Sequence, residues 1–407
     1  MRILQQGYRW LLRIILIMYQ GFMQLLTWLP RKKQDKKRPL KVLATGTFYS
    51  EHWLVTHLQP MANAKNCAQV IMVAATQVPD MNKVSGAYAP KWLQRTAGQV
   101  GARLLYFSWL AFTQRPDVLV GFHLLVNGLL VALLARIIGA KSVYISGGGK
   151  NEVYGGGFNT ENRIFSRIGQ ADYDIEALLI QAVNEMDLVI SMGSTAVDYF
   201  KSKGVNTNFS IVPGGYNNDL FRPDPLQDKI YDLILIGRLS DIKRVDRFLH
   251  AIKVAKQQLP YLNAVIVGDG PDKAALEALA EQLGIADDVH FSGWQNNVHR
   301  WLQQSKCFVL TSDSEGLSQA LIQAMMTGLP AIVSDVGDLG DVLTNDKSGY
   351  LISTLDATAF AQAFMTLLPN TDKTTSFSNQ AITDTRKYTV AQVEDEWFNT
   401  FNNFSMV

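Results

Sequence analysis

The sequence predicts an α/β chain made of two doubly wound domains, each with a parallel sheet covered by helices. Three observations lead there. Short apolar runs alternate with amphipathic stretches of helical period, which is the pattern of strand–helix–strand units. At 407 residues the chain exceeds what one hydrophobic core ordinarily organises. A composition of 47% hydrophobic and 18% charged residues belongs to folded domains and excludes global disorder. The formal net charge of +2 gives no reason to expect a nucleic-acid partner. Basic residues do cluster locally, in Arg31-Lys32-Lys33 and Lys36-Lys37-Arg38. Cys67 and Cys307 sit in apolar surroundings in different halves of the chain and read as reduced core residues. There is no CxxC, HExxH or Cys/His cluster, so no metal site is expected.

Residues 1–38 form the first segment. The polar residues Arg2, Gln6, Arg9, Arg13, Gln20, Gln24 and Thr27 fall on one narrow stripe at about 100° per residue, with Gln5 beside it. The other residues of 1–30 are almost all apolar. A cleaved leader would need a shorter apolar core and a small-residue cleavage site. A span needs about 20 apolar residues, and the uncharged run Ile14–Leu29 is shorter and interrupted by Gln20 and Gln24. A helix lying in the membrane interface accounts for the stripe, the arginines, Trp10 and Trp28 together, and the basic linker adds attraction to anionic lipid. This reading places the protein on the cytoplasmic face of the cell membrane. A span, or a helix packed on a core or partner, stays open.

A first domain, 39–215, follows. Its strand candidates are 41–44, 68–74, 117–120, 142–145, 187–190 and 210–213, with a buried helix over 127–138. A second domain, 216–385, repeats the scheme: strand 232–236, helix 243–258, strand 263–267, helix 272–283, strand 289–291, helix 297–304, strand 307–311, helix 317–327 and strand 331–333. The last segment, 386–407, reads as a helix with Val390, Val393, Trp397 and Phe401 on one face, expected to pack back towards the first domain.

In open α/β sheets, ligands gather at the strand-to-helix turns, where helix starts suit phosphate. Arg238 and Lys243 share one such turn, although two solvated cations are the plain alternative. Gly268-Asp269-Gly270 forms another, where the backbone is open to a ligand. Glu315 stands at the mouth of a third, followed by Gly316, Leu317 and Ser318 at the helix start. Gln319 and Gln323 share a helix flank at i, i+4 and read equally as a water-facing stripe. Glycine runs 147–149 and 155–157 flank Lys150, Asn151 and Glu152, either an acceptor-side loop or a flexible linker. Asp172-Tyr173-Asp174 matches a metal-binding string but follows no suitable strand.

The segments "IGRLSDIKRVDRFLHAI", "VIVGDGPDKAALEALAEQLGI", "VHFSGW" and "SDSEGLSQALIQAMMTGLPAIVSDVGDLGDVL" resemble, in order and spacing, family 4 of the retaining glycosyltransferases. The resemblance is specific over Tyr231–Ser353 and looser from Leu40 through "PDVLVGFH" and "VPGGYNNDLFRP". It implies the GT-B fold, two facing Rossmann-like domains with a cleft between them and the nucleotide sugar bound mainly to the second. It implies metal-independent transfer, with retention, from a nucleotide diphosphate sugar, most commonly a UDP-sugar, and no cofactor. Carried over, Arg238 and Lys243 match the diphosphate-binding cations, and Glu315 the first acid of an E-x7-E motif that grips donor-sugar hydroxyls. Gly316, Leu317 and Ser318 match the amides meeting sugar and phosphate, Gly268 the nucleotide pocket, and Trp294-Gln295 the edge of the base. His123 matches a cleft histidine contacting the transferring sugar, and Gly46 what remains of a paired-glycine loop. The second acid of the motif is Gln323, which lacks the charge for a carboxylate clamp on the ribose diol. The helix at 1–38 suggests a lipid-linked saccharide acceptor. A tethered non-catalytic sugar-binding protein and a nucleotide-sugar epimerase are the competing readings.

Overall fold

A computed structural model of the protein describes residues 2–28, 38–48, 50–158, 160, 162 and 164–405. The basic run at 31–37 lies outside the described residues. The chain divides into two compact units, Met1–Gly215 with Val390–Val407, and Tyr216–Thr389.

The first unit opens with α1 (Arg2–Leu26), β1 (Leu40–Thr45), α2 (Glu51–Asn63), β2 (Cys67–Val73), β3 (Val84–Ala87) and α3 (Lys91–Gln114). It continues with β4 (Val118–Phe122), α4 (Leu129–Ile138), β5 (Lys141–Ser146), α5 (Tyr173–Asn184), β6 (Leu188–Ser191), α6 (Ser194–Ser202) and β7 (Asn208–Ile211). The strands run parallel in the order β3-β2-β1-β4-β5-β6-β7. Both faces are covered, which is why the strands read as apolar runs without alternation. Val42, Ala44, Val118, Val120 and Phe122 pack with α2, while Leu43 and Leu119 pack on the opposite face with α3 and α4. Helix ends follow local chemistry: Ser50 caps α2 by accepting from Trp53 N at 3.2 Å, and Gly139 closes α4 at φ 74°.

The second unit contains β8 (Tyr231–Ile236), α7 (Val245–Ala255), β9 (Ala264–Val267), α8 (Lys273–Leu283), β10 (Val289–Gly293), α9 (Val298–Gln303) and β11 (Ser305–Leu310). Then come α10 (Gln319–Met326), β12 (Ala331–Ser334), α11 (Leu339–Val342), β13 (Gly349–Ile352), α12 (Ala357–Leu367) and α13 (Thr371–Thr385). Its parallel order is β10-β9-β8-β11-β12-β13. β3 and β13 were not singled out from the sequence. Both are partly exposed outer strands, so neither carries a full apolar run.

The chain ends in α14 (Val390–Ser405), which belongs to the first unit. Val393, Trp397 and Phe401 are buried in one cluster with Leu54, Leu58 and Met61 of α2. Asn63 Nδ2 donates to Glu394 Oε1 at 2.7 Å, and Asn66 Nδ2 to the Phe398 carbonyl at 2.9 Å.

The middle of the α1 polar stripe, Arg9, Arg13 and Gln20, faces the protein, where an isolated interfacial helix would turn it to water, while Gln6, Gln24 and Thr27 are exposed. Arg9 donates to the Ile168 carbonyl at 2.9 and 3.0 Å, and Gln20 to the Leu178 carbonyl at 3.0 Å. Arg13 pairs with Asp172 at 2.8 Å and Asp174 at 2.7 Å. Asp172 also caps α5 by accepting from Ile175 N. The Asp172-Tyr173-Asp174 string is therefore an ion-pair anchor for α1. Only Leu12, Leu16, Met23 and Gln20 of this helix are buried among the residues whose side chains are described. Trp10, Leu11, Ile14, Ile15, Ile17, Met18, Phe22 and Leu25 point outward and are exposed. Among the described residues no helix is long and apolar enough to cross a membrane.

Trp397→Ala is expected to destabilise the first unit by about 3–5 kcal/mol through cavity formation. Hydrogen exchange checks this: α2 amides lose protection while those of the second unit keep theirs.

Candidate active site

Both sheets reverse their strand order at one point, between β1 and β4 in the first unit and between β8 and β11 in the second. The turns leaving such neighbouring strands diverge to opposite faces and open a crevice at the carboxyl edge. The turns after β1 and β4 carry Gly46-Thr47 and His123, and those after β8 and β11 carry Arg238-Lys243 and Glu315.

In the second unit the structure brings Lys243 and Glu315 together. Lys243 Nζ lies 2.7 and 2.8 Å from the two Glu315 oxygens, and Ser312 Oγ donates to Oε1 at 2.6 Å. Arg238 stands exposed in the same β8 turn. Lys243 does not lie in α7, as the sequence reading had it. It closes a short turn, 241–243, and is followed by Arg244 at φ 48°, ψ 46°. The Thr311 hydroxyl donates to the Arg244 carbonyl at 2.8 Å and holds this left-handed residue, whose guanidinium pairs with Asp246 and Asp313. Buried Arg247 ties the two turns together by donating to the Thr311 carbonyl and to Asp313 Oδ1.

The helix after Glu315 also begins later than expected. Ser318 is its cap, accepting from Leu321 N at 3.3 Å, so Gly316 and Leu317 precede α10. Gly316 is exposed with open space where a side chain would stand, and Leu317 leans on the core. Gln323 is buried at 6% exposure, so it is not part of a water-facing stripe. Gly268 supports its neighbour: a Cβ there would lie 1.9 Å from the Gly237 carbonyl, so the β9 turn rests on the β8 turn by backbone contact. At the outer end of this edge Trp294 is exposed, its indole N–H donating to Asn296, while Gln295 Nε2 donates to the Ser292 carbonyl.

In the first unit a cavity of about 550 Å³ opens at the switch point, with Thr47, Arg103, His123, Val126, Asn127 and Glu152 in its wall. Gly46 lies just behind it, packed so closely on Phe122 that a Cβ would come within 2.7 Å of that side chain. His123 leaves β4 at φ 65°, ψ 137°, and Val126 follows at φ 74°, ψ −50°. Both are costly conformations for residues with a Cβ. Glu152 holds the first of them in place. Its carboxylate meets His123 Nδ1 at 3.0 Å and accepts from Leu124 N at 2.6 Å, Gly148 N at 2.6 Å and Tyr144 Oη at 3.0 Å. Burial alone would raise this carboxyl. The His123 charge and hydrogen bond, with the two amides, outweigh burial and keep it below the usual carboxylate range.

The segment containing Lys150, Asn151 and Glu152 is thus built into this cavity, with Asn151 and Glu152 in the wall. Sequence reasoning noticed the segment but not that Glu152 orients His123. Gly147 is part of the same fit, since a Cβ there would lie 2.9 Å from the His123 ring. Arg244, Arg247 and Gly337 were also missed. Gly337, at φ 57°, passes so close to the Glu315 carbonyl that a Cβ would stand 1.9 Å from it. The glycine after strand β12 was the only local sign. Among the described residues no group of three or more His, Cys, Asp or Glu is placed to hold a metal ion.

A carboxyl that titrates lower when folded contributes stability above its unfolded pKa, about 4.3, and loses it as pH falls through the folded value. Glu152→Gln should therefore lower the stability of the first unit at pH 7 and flatten its decline between pH 5 and 3. Urea unfolding of both proteins across that range reads the difference.

Residues 217–384 match the family model described as "Glycosyl transferases group 1". Over 136 residues the chain is 32% identical to N-acetyl-alpha-D-glucosaminyl L-malate synthase of Bacillus anthracis, covering 33% of this chain and 35% of that protein. Over 170 residues it is 30% identical to the UDP-Gal:alpha-D-GlcNAc-diphosphoundecaprenol alpha-1,3-galactosyltransferase of Escherichia coli, covering 38% and 44%. The chain spans less than half the length of these curated relatives. The crystal structure of Anabaena HepE in complex with UDP superposes with a TM-score of 0.67 at 16% identity, covering 89% of this chain and 100% of that one. At that identity the likeness shows the fold, and it extends over both units. Residues 217–384 are therefore a domain of the group 1 glycosyltransferases, carried by a chain with the GT-B fold.

Proposed function

We propose that this protein is a retaining glycosyltransferase of the hexosyl-transferring kind. Its donor is a UDP-sugar, and its acceptor a saccharide or lipid-linked saccharide at the cytoplasmic face of the membrane. The observation that carries the reading is Lys243 Nζ against both oxygens of Glu315 at the switch point, in the stretch that matches the group 1 family. A diphosphate entering beside Arg238 draws Lys243 to its negative oxygens and frees Glu315 to accept hydrogen bonds from sugar hydroxyls. Both cations then stabilise the charge that grows on the departing diphosphate, the task a divalent ion performs in metal-dependent transferases. The exposed amide of Gly316 serves the same ligand. His123, held by Glu152, contacts the transferring sugar, and the acceptor hydroxyl approaches the face that the diphosphate vacates. The complexes of Anabaena HepE with UDP and with UDP-glucose support a uridine nucleotide.

The outward apolar side of α1 supports the membrane acceptor. α4 touches both α1 and α3, and α3 carries its own exposed Trp92, Leu105, Trp109 and Phe112. Such a display suits the headgroup boundary of a bilayer. The name of the Escherichia coli relative includes alpha-D-GlcNAc-diphosphoundecaprenol, and the lipopolysaccharide outer core galactosyltransferase WaaB, in its apo form, superposes with a TM-score of 0.64 at 17% identity.

Incubation with a panel of nucleotide sugars tests the reading. Release of the nucleotide diphosphate with an α-linked product from an α-linked donor supports it, and no release from any donor overturns it. Arg238→Ala and Lys243→Ala should each lower kcat by roughly 100- to 1,000-fold. The triple change Trp10→Ser, Ile14→Ser, Met18→Ser leaves the Arg13–Asp172 pair in place and should weaken binding to phosphatidylglycerol vesicles more than tenfold, by cosedimentation.

A further inference from the structure

Arg103, on α3, is an unusual buried cation. It is only 3% exposed, yet it lines the cavity of the first unit. Its Nη1 donates to Thr45 Oγ1 and its Nη2 to Asn127 Oδ1 at 2.9 Å, both neutral acceptors. Among the described residues no carboxylate lies within ion-pair distance of it. Glu152 shares the cavity, but its charge is already met by His123 and three further donors. A buried guanidinium without a counter-charge is costly, and folds normally supply one. Burial pulls this group down only to about 10, so it stays charged at neutral pH.

A second observation points the same way. α3 is broken at Gly98, with φ 68° and ψ 170°, and the helix restarts beside Val100. Val100 lies in the cavity wall and is 56% exposed. The restarted helix therefore begins beside the cavity, and a helix start carries partial positive charge. The cavity wall mixes apolar and polar residues, with Thr160 and Asn162 beside Ile164. Leu125 and Val126 belong to it as well, and the Ile164 carbonyl accepts from Tyr8 of α1 at 2.8 Å.

We infer that Arg103 and the start of the restarted helix form an anion subsite that takes a phosphoryl group of the acceptor, with an apolar tail leaving past Val100 and Ile164. The tetrahedral, multiply charged group suits the guanidinium fork, with the Thr47 hydroxyl and the Asn151 amide in the same wall. This rests on the transferase reading above and narrows its acceptor to a phosphorylated one, either a lipid-linked diphosphate or a soluble sugar phosphate.

Titration calorimetry of the full chain, with UDP in excess to occupy phosphate sites of the second unit, tests the subsite. The probes are farnesyl diphosphate, farnesol and inorganic pyrophosphate. Farnesyl diphosphate is expected to bind, and Arg103→Ala to weaken it at least tenfold while leaving farnesol unchanged. Val100→Glu, at an exposed position that folding tolerates, should also weaken the anionic probes and answers the question if the Arg103 variant fails to fold. Farnesyl diphosphate far tighter than pyrophosphate identifies a lipid-linked source, and equal binding identifies a soluble phosphate. Anionic probes that bind both variants as well as the parent, or that do not bind at all, overturn the subsite. Transfer activity is scored separately. Activity that persists while probe binding ignores both positions defeats the subsite alone. Arg103-dependent probe binding in a protein that releases no nucleotide diphosphate defeats the transferase reading alone.

Discussion

Parallel strand order is the constraint on which the rest of this molecule depends. Each strand must be reached by a right-handed crossover, so all strand-to-helix turns collect at one edge. The order can reverse only where two such turns part. In each unit that reversal occurs once, and the chemically distinctive side chains stand there. Lys243 and Glu315, 72 residues apart in the chain, touch because β8 and β11 are neighbours. Thr47 and His123 line one cavity because β1 and β4 are neighbours.

The charges around these switch points are handled in three different ways. Glu152 is satisfied outright by donors of its own unit, which suits a positioning role: it fixes the His123 ring and offsets the cost of that residue's positive φ. Lys243 and Glu315 satisfy each other, an arrangement a ligand can enter by exchanging partners. Arg103 is held by two neutral oxygens and has no carboxylate partner among the described residues. The order runs from structural, through exchangeable, to receptive.

The first helix shows how tertiary context redirects an amphipathic pattern. Its arginines and Gln20 meet carbonyls and carboxylates at α5 and the loop before it, contacts with defined geometry that water does not provide as fixed partners. Once they are docked, the broad apolar face has nowhere to turn but outward. An apolar surface of this extent is characteristic of an interaction face, and it adjoins the helix layer whose edge forms the mouth of the cavity.

The class of fold, the two units, most strands and the chemically marked turns were legible in the sequence, because apolar periodicity and turn residues act over a few positions. Arg238, Lys243, Glu315 and His123 stood out for the same reason: each lies in a turn that leaves a strand. Outer strands β3 and β13 escaped notice because half-exposed strands need no apolar run. Arg103 was not singled out, and Glu152 entered only as part of a glycine-flanked loop or linker. Nothing local says that one would be buried with no carboxylate partner among the described residues, or that the other would reach across 29 residues to orient His123. Local sequence determined which elements form and where their turns lie. Strand order in three dimensions decided which turns meet, which charges are compensated and which way α1 faces, because those depend on partners that are neighbours only after folding.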